Sequence, residues 1–176
     1  MFDIDSAIFG PVSGAGSSLG LIVREGDMAP GLEGAEFVFF GDQDNFFDAP
    51  AFNNSGDLAF LGLLDLGPDE EGGAEALFTR IDGEITLIAR VGDLVEVSVN
   101  GVTEQRTIMG SIFNFSSAFL LEPDSLSDSG ELVFGLNFTD GTSGIFTTAS
   151  PVPEPASAAL LALGGITLAL RRRRIS

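Results

Sequence analysis

The sequence contains no cysteine, histidine, lysine, tryptophan or tyrosine. The absence of cysteine excludes disulfides, zinc–thiolate sites and cysteine nucleophiles. Without histidine and lysine, the chain has neither the commonest general base nor an amine for Schiff-base chemistry. Any catalysis would depend on carboxylates, hydroxyls and arginine alone. We therefore expect a protein that is not an enzyme and that holds no cofactor.

Positive charge is also scarce. Eight arginines stand against 26 acids, which gives a net charge of −18. Half of those arginines form one run near the C-terminus, so residues 1–150 are even more acidic on balance. Such a body repels phosphate backbones, which excludes nucleic acid as a partner. With 44% hydrophobic residues and 16 phenylalanines, the chain is nevertheless too apolar for a disordered acidic polymer, and we expect it to fold.

The end of the chain has three parts. A proline-rich linker over 149–155 precedes an uncharged apolar segment over 156–170, and a basic tail occupies 171–176. Fifteen residues in a helix span about 22 Å, short of the roughly 30 Å hydrocarbon core, so the long arginine stems would complete a minimal membrane crossing. The positive-inside bias places the tail in the cytoplasm and everything before the linker outside. The membrane stop consists of Arg171, Arg172, Arg173 and Arg174.

This segment resembles the PEP-CTERM sorting signal of bacteria, on the residues Val152, Pro153, Glu154 and Pro155, the apolar span and the arginine cluster. The resemblance implies export, transient insertion in the inner membrane of a Gram-negative-type bacterium, and processing by an exosortase. It further implies a final place at the cell surface or in the extracellular matrix, with exopolysaccharide as a possible partner. The two prolines hold Glu154 extended, in a form that a processing enzyme can bind.

The first residues lack the basic region and apolar run of an export signal. Either the start codon is misassigned, the chain is a fragment, or export uses another route. We favour a truncated gene model, in which the chain is the C-terminal part of a longer array of repeats.

Three local patterns recur in the body, over residues 1–148. They alternate with glycine, aspartate and asparagine turns, which predicts about two units of some 70 residues, each with four short antiparallel strands. The expected fold is all-β, an incomplete propeller-like or stacked array, followed by the single apolar helix. The matching segments are 21–27 with 87–93, 53–63 with 127–136, and 7–9 with 76–78 and 144–146.

The body resembles the tandem NxxGxxAF repeats of exported bacterial proteins. Asn53, Gly56, Ala59 and Phe60 fit that motif completely. The second copy keeps Gly130 and Phe134 but has serine and valine at the other two positions. We interpret the asparagine and glycine as a turn and the phenylalanine as core. The phenylalanines as a whole are expected to fill the space between sheets.

Two Arg-x-Gly-Asp segments form the most regular polar pattern. We interpret each as a buried arginine–aspartate bridge that pins a turn, since the guanidinium fork suits a carboxylate; a ligand-binding arginine is the alternative. The residues are Arg24, Gly26 and Asp27 in the first copy and Arg90, Gly92 and Asp93 in the second.

Clustered acids leave two other functions open. Asp42, Asp44 and Asp48 are weak candidates for calcium ligands, because hard cations prefer grouped oxygens, and they would suit a calcium-dependent adhesin. A pair of carboxylates would suit an extracellular glycoside hydrolase. Solvated acidic loops are the simpler interpretation. The function that we expect is an exported surface or matrix protein, whose body has a structural or interaction role.

An array of two units leaves two uncovered ends. Phenylalanine-rich sheet surface and free strand edges at those ends would promote association. The negative charge would oppose it until salt screens the repulsion. We expect residues 1–150 alone to be marginally stable.

Overall fold

The computed structural model describes residues 6–11, 18–40, 50–67, 73–109, 119–120 and 124–148. Within these ranges every regular element is a β-strand and every strand pairing is antiparallel. The predicted all-β class is therefore confirmed. Across the described residues, no helix is both long and apolar enough to span a bilayer. The linker, the predicted helix over 156–170 and the basic tail lie outside the described residues.

Twelve strands make up the described part of the chain. Their bounds are β1 Ala7–Pro11, β2 Leu19–Arg24, β3 Glu36–Phe40, β4 Ala51–Phe52, β5 Leu58–Asp65, β6 Ala74–Ile81, β7 Glu84–Arg90, β8 Leu94–Val99, β9 Val102–Thr107, β10 Phe119–Leu120, β11 Val133–Asn137 and β12 Ser143–Thr147.

The strands form four antiparallel sheets. The β1–β2 hairpin is the first; a central sheet has the order β3-β5-β6-β7, with β4 also paired to β5; a third has the order β10-β11-β12; and β8–β9 is a separate ribbon. The four strands of one sequence unit therefore do not form one sheet, contrary to our expectation. The central sheet takes β3 to β5 from the first unit and β6 and β7 from the second, because the segment after each Arg-x-Gly-Asp turn carries the chain into the next sheet.

Two hydrophobic clusters hold three of these sheets together as layers. One lies between the β1–β2 hairpin and the central sheet, and includes Ile8, Val23, Phe60 and Phe78. The other lies between the opposite face of the central sheet and the β10–β12 sheet, and includes Leu77. The central sheet thus has an apolar layer on each face.

Strand β5 is consequently buried on both faces. Leu58 and Phe60 enter the first cluster, while Ala59 and Leu61 enter the second. The expectation that Phe60 lies in a core is confirmed, but the same run also buries the alternate face, which is typical of a strand covered on both sides. The aromatic packing uses phenylalanine alone, so no buried tyrosine hydroxyl or tryptophan indole needs a hydrogen-bond partner.

Phenylalanine rings fill the first cluster. The rings of Phe60 and Phe78, directly opposite on β5 and β6, are stacked with centroids 5.5 Å apart. Phe37 lies 5.0 Å from Phe78 at a steep angle, and Phe40 lies 5.1 Å from Phe37. Offset and edge contacts of this kind add to the free energy of burial itself.

The strand pairings repeat between layers with the same register. Phe60 pairs with Phe78 in the central sheet, and Phe134 pairs with Phe146 in the third layer. The β1–β2 and β6–β7 hairpins share a β-bulge, after Ile8 in the first and after Leu77 in the second. A bulge bends and twists its strand, and it occurs at equivalent positions of the two hairpins.

The β8–β9 ribbon was not predicted from the sequence. It occupies residues 94–107, where the first unit has the loop 28–35. Its strands pair in continuous register from Leu94 with Thr107 to Val99 with Val102. The ribbon follows the second Arg-x-Gly-Asp turn and forms a sheet of its own. Val95 and Val97 on β8 pack against the second hydrophobic cluster.

Replacing Phe78 by alanine should lower the free energy of unfolding by about 3–5 kcal/mol, because the fully buried ring leaves a cavity between layers. The matched control is Phe9→Ala, at the corresponding position of β1, where the ring is exposed; its effect should be well under 1 kcal/mol. Urea unfolding followed by far-ultraviolet circular dichroism measures both. Equal losses would contradict the layered core.

Candidate functional site

The turn that begins at Asn53 is built by one side chain. Asn53 Oδ1 accepts hydrogen bonds from the backbone amides of Ser55 at 3.0 Å and Asp57 at 2.9 Å. The amide of Gly56 donates to the Asn53 carbonyl at 3.2 Å, and Gly56 has a φ of 86°. Glycine adopts that left-handed conformation without steric cost. The asparagine and glycine therefore form a turn, as the sequence predicts.

The same turn contacts its counterpart in the third layer. Asn53 Nδ2 donates to the carbonyl of Ser127 at 2.9 Å. Asn54 donates from its backbone amide and from Nδ2 to the two carboxylate oxygens of Asp128, at 2.9 and 3.0 Å. We call residues 53–57 and 127–131 together the turn ladder. Its bonds join positions 74 residues apart, so the two copies of the motif lie directly against each other.

Asp57 connects the turn ladder to the central sheet. Its carboxylate accepts from Asn53 Nδ2 at 3.0 Å and from the backbone amide of Asp82 at 3.0 Å. Asp82 and Gly83 form the β6–β7 turn with φ values of 52° and 87°, as expected for a two-residue hairpin turn. Asn53 and Asp57 are both buried, and every one of these bonds satisfies a group that would otherwise be costly to desolvate.

The second copy of the motif keeps the turn but not the contact to a further layer. Ser127 Oγ accepts from the amide of Glu131 at 3.0 Å, and the amide of Gly130 donates to the Ser127 carbonyl at 3.0 Å. A serine hydroxyl can complete its own turn in this way. Serine has no side-chain amide, so it cannot donate a hydrogen bond to a neighbouring layer as Asn53 Nδ2 does. The change from asparagine to serine therefore keeps the turn and loses the donor to another layer.

The electrostatics of the turn ladder centre on Asp128. Hydrogen bonds from the side chain of Asn54, and then from its backbone amide, hold the pKa of the Asp128 carboxyl below its usual value. Because the folded pKa is lowered, the resulting stabilisation is present above the ordinary carboxyl pKa of about 3.9. It is lost as the pH falls through the lower folded value.

The two Arg-x-Gly-Asp segments form equivalent turns. Asp27 accepts from the backbone amide of Arg24 at 3.0 Å, and Asp93 accepts from that of Arg90 at 2.9 Å. The arginine Nε lies 3.5 Å from the carboxylate in the first pair and 3.3 Å in the second. Gly26 and Gly92 have φ values of 83° and 88°.

The predicted burial of these ion pairs is wrong. Arg24 is exposed, and Asp27, Arg90 and Asp93 are only partly covered. The carboxylate caps backbone amides at the edge of the sheet, where water reaches it, so the guanidinium is not needed to neutralise a buried charge. Exposed pairs of this kind contribute little to stability.

The remaining candidate residues belong neither to the turn ladder nor to the Arg-x-Gly-Asp turns. The proposed calcium ligands Asp42, Asp44 and Asp48 and the whole sorting signal lie outside the described residues. Within the ranges that the structure describes, no group of three or more acidic side chains converges on a possible metal position. Phe60 and Phe134 lie in the hydrophobic clusters, as interpreted, and Ala59 lies in the second cluster as well.

Sequence reasoning missed Asn54, Asp57 and Asp128, which carry half of the contacts of the turn ladder. Asn54 and Asp128 are equivalent positions in the two motif copies. An asparagine in one copy and an aspartate in the next is a donor–acceptor pair if the two turns stack. That signal was available, but using it requires knowing that the turns touch.

Comparison with known proteins gives two matches. A family of unknown function, DUF7453, matches residues 3–159. The PEP-CTERM protein-sorting motif matches residues 151–174. No curated protein and no solved structure matches the chain. The second match confirms the predicted sorting signal and supports sorting by an exosortase to the cell surface. The family that covers the body is not the NxxGxxAF repeat family, so that resemblance stays a prediction.

Replacing Asn53 by serine should lower the free energy of unfolding by about 1–3 kcal/mol. Serine can complete its own turn, as Ser127 does, but it loses the bonds from Nδ2 to Ser127 and Asp57. The control is Ser127→Ala, which removes two exposed contacts within one turn, to Ser129 and Glu131, and should cost less than 1 kcal/mol. Thermal unfolding of both variants measures the difference. A neutral Asn53→Ser variant would show that the contact between layers contributes nothing.

Proposed function

The chain belongs to DUF7453, a family of unknown function, and we propose that it is an exported surface protein whose layered body has a structural or interaction role. The PEP-CTERM motif at 151–174 carries the proposal, because it supports sorting by an exosortase. The strongly acidic composition adds to it: mutual repulsion keeps such a body soluble outside the cell.

The parts of the sorting signal have separate tasks in this proposal. The arginines Arg171–Arg174 stop the chain at the cytoplasmic face, since positive charge resists translocation. The apolar segment over 156–170 holds the chain in the inner membrane until it is processed. Pro153, Glu154 and Pro155 form the extended element that the exosortase recognises, and removal of the tail leaves the body at the surface or in the matrix.

The body is proposed as a stacked array of related β-layers. The shared bulge of the β1–β2 and β6–β7 hairpins supports this, as do the matching registers around Phe60 and Phe134. In an array of this type each layer covers its neighbour, and stability is a sum of layers and contacts between layers. In a more specific form of this proposal, the layers belong to a propeller-like array.

The polar groups of the turn ladder support a structural role for the site. The side chains of Asn53, Asp57 and Asp128 are all engaged in bonds within or between layers. Groups that are held in this way fix the positions of the strands that carry them. The site therefore serves best as a connector between layers.

Replacing Glu154 by alanine should leave membrane insertion intact and block removal of the tail, because the apolar segment and the arginines are unchanged while the recognised carboxylate is lost. The measurement is the mass of the protein in membrane and surface fractions of cells that contain an exosortase. The unprocessed form should accumulate in the inner membrane.

The matched control is Ser157→Ala, which changes a nearby residue of the tail and keeps the motif; it should be processed normally. If the Glu154→Ala protein also loses its tail at the normal rate, the role assigned to Glu154 is wrong.

A further inference from the structure

Among the described layers, the β1–β2 hairpin and the third layer expose apolar side chains on the faces that point away from the central sheet. On the β1–β2 hairpin these are Phe9, Leu19 and Leu21, with exposed fractions of 60%, 73% and 50%. On the third layer they are Val133 at 48% and Ile145 at 83%. We call the first set the hairpin face and the second set the β11–β12 face.

Two of these residues, Phe9 and Ile145, have internal counterparts that are fully buried. Phe9 corresponds to Phe78, which is fully buried against the β1–β2 hairpin. Ile145 corresponds to Leu77, which is fully buried against the third layer. The same surface is thus core where a layer covers it and exposed where none does.

The two exposed faces are complementary halves of one kind of contact. The central sheet carries both kinds of face. Its face with Phe78, which is equivalent to the hairpin face, packs against the β1–β2 hairpin. Its face with Leu77, which is equivalent to the β11–β12 face, packs against the third layer. We propose that the β11–β12 face of one molecule docks on the hairpin face of a second copy, head to tail. This rests on the structural role proposed for the body and not on its sorting.

The hairpin face has a recess beside its exposed apolar side chains Phe9 and Leu21. A surface cavity of about 300 Å³ is lined by Ser6, Ala7, Phe9, Leu21, Arg24 and Glu25. Ser6 Oγ at its wall is buried without a hydrogen-bond partner among the residues that the structure describes. Ile145, the most exposed large apolar side chain of the described part, is the side chain that enters this recess.

The contact is weak and strengthened by salt. Ser127 offers no amide to a further layer, so apolar burial has to supply the attraction. The net charge of −18 opposes the approach of two copies, and salt screens that repulsion. A head-to-tail contact uses two different patches and forms rings or filaments rather than a closed symmetric dimer.

Disulfide trapping tests the orientation, and the chain suits it because it contains no cysteine. The full chain is prepared in a mild non-ionic detergent as two variants, Ala7→Cys on the hairpin face and Ser143→Cys beside Ile145 on β12. Mixed under mild oxidation, they should form a disulfide between the two variants, with little product from either variant alone. Dominant product within one variant would mean a symmetric contact and would overturn the proposal.

A second pair of variants distinguishes this contact from self-association through the apolar segment over 156–170. Ile145→Asp should weaken self-association by about tenfold or more in sedimentation velocity. Val102→Asp places the same charge at an equally apolar exposed position on the β8–β9 ribbon and should leave self-association unchanged. Association of the unmodified chain should rise with sodium chloride.

If Ile145→Asp leaves self-association unchanged, the association is due to the apolar segment over 156–170 and the proposal is overturned. A chain that stays monomeric at high salt would also overturn it. Neither result bears on the processing of the sorting signal that contains Glu154, so failure of this proposal is distinguishable from failure of the proposed sorting.

Discussion

Strands β5 and β6 bury apolar side chains on both faces, so the central sheet is stable only while a layer covers each side. Aliphatic residues and phenylalanines alternate at this point: Ala59 and Leu77 face the third layer, while Phe60 and Phe78 face the hairpin. Burial of such side chains gives most of the favourable free energy of folding. A single layer of this protein could not obtain that energy alone, which explains why the motif occurs more than once.

The polar contacts follow from this stacking. Two turns of the same type come together because their layers do, and Asn54 and Asp128 then form a donor–acceptor pair across the contact. The apolar faces supply the attraction between layers, whereas the turn ladder sets their relative position. Hydrogen bonds have strict geometry and apolar contact does not, so the two kinds of contact complement each other.

Much of this could be predicted from the sequence, and the rest could not for identifiable reasons. The strand class, the turns at Gly56 and Gly92 and the core position of Phe60 follow from local residue types. The assignment of strands to sheets does not, because nothing local says that a turn carries the chain into another layer. The exposure of Arg24 and the contact of Asn54 with Asp128 likewise depend on where layers meet.

Stacking on both faces of the central sheet requires protection from solvent to be greatest in that sheet, and native-state hydrogen exchange measures that protection directly. Amides of β5 and β6 should exchange most slowly, because opening them separates two apolar contacts at once. Amides of β1 and β12, in layers that are covered on one face, should exchange faster. Uniform protection across all three layers, or the slowest exchange in β1 or β12, would contradict a protein held together by stacking on both faces of its central sheet.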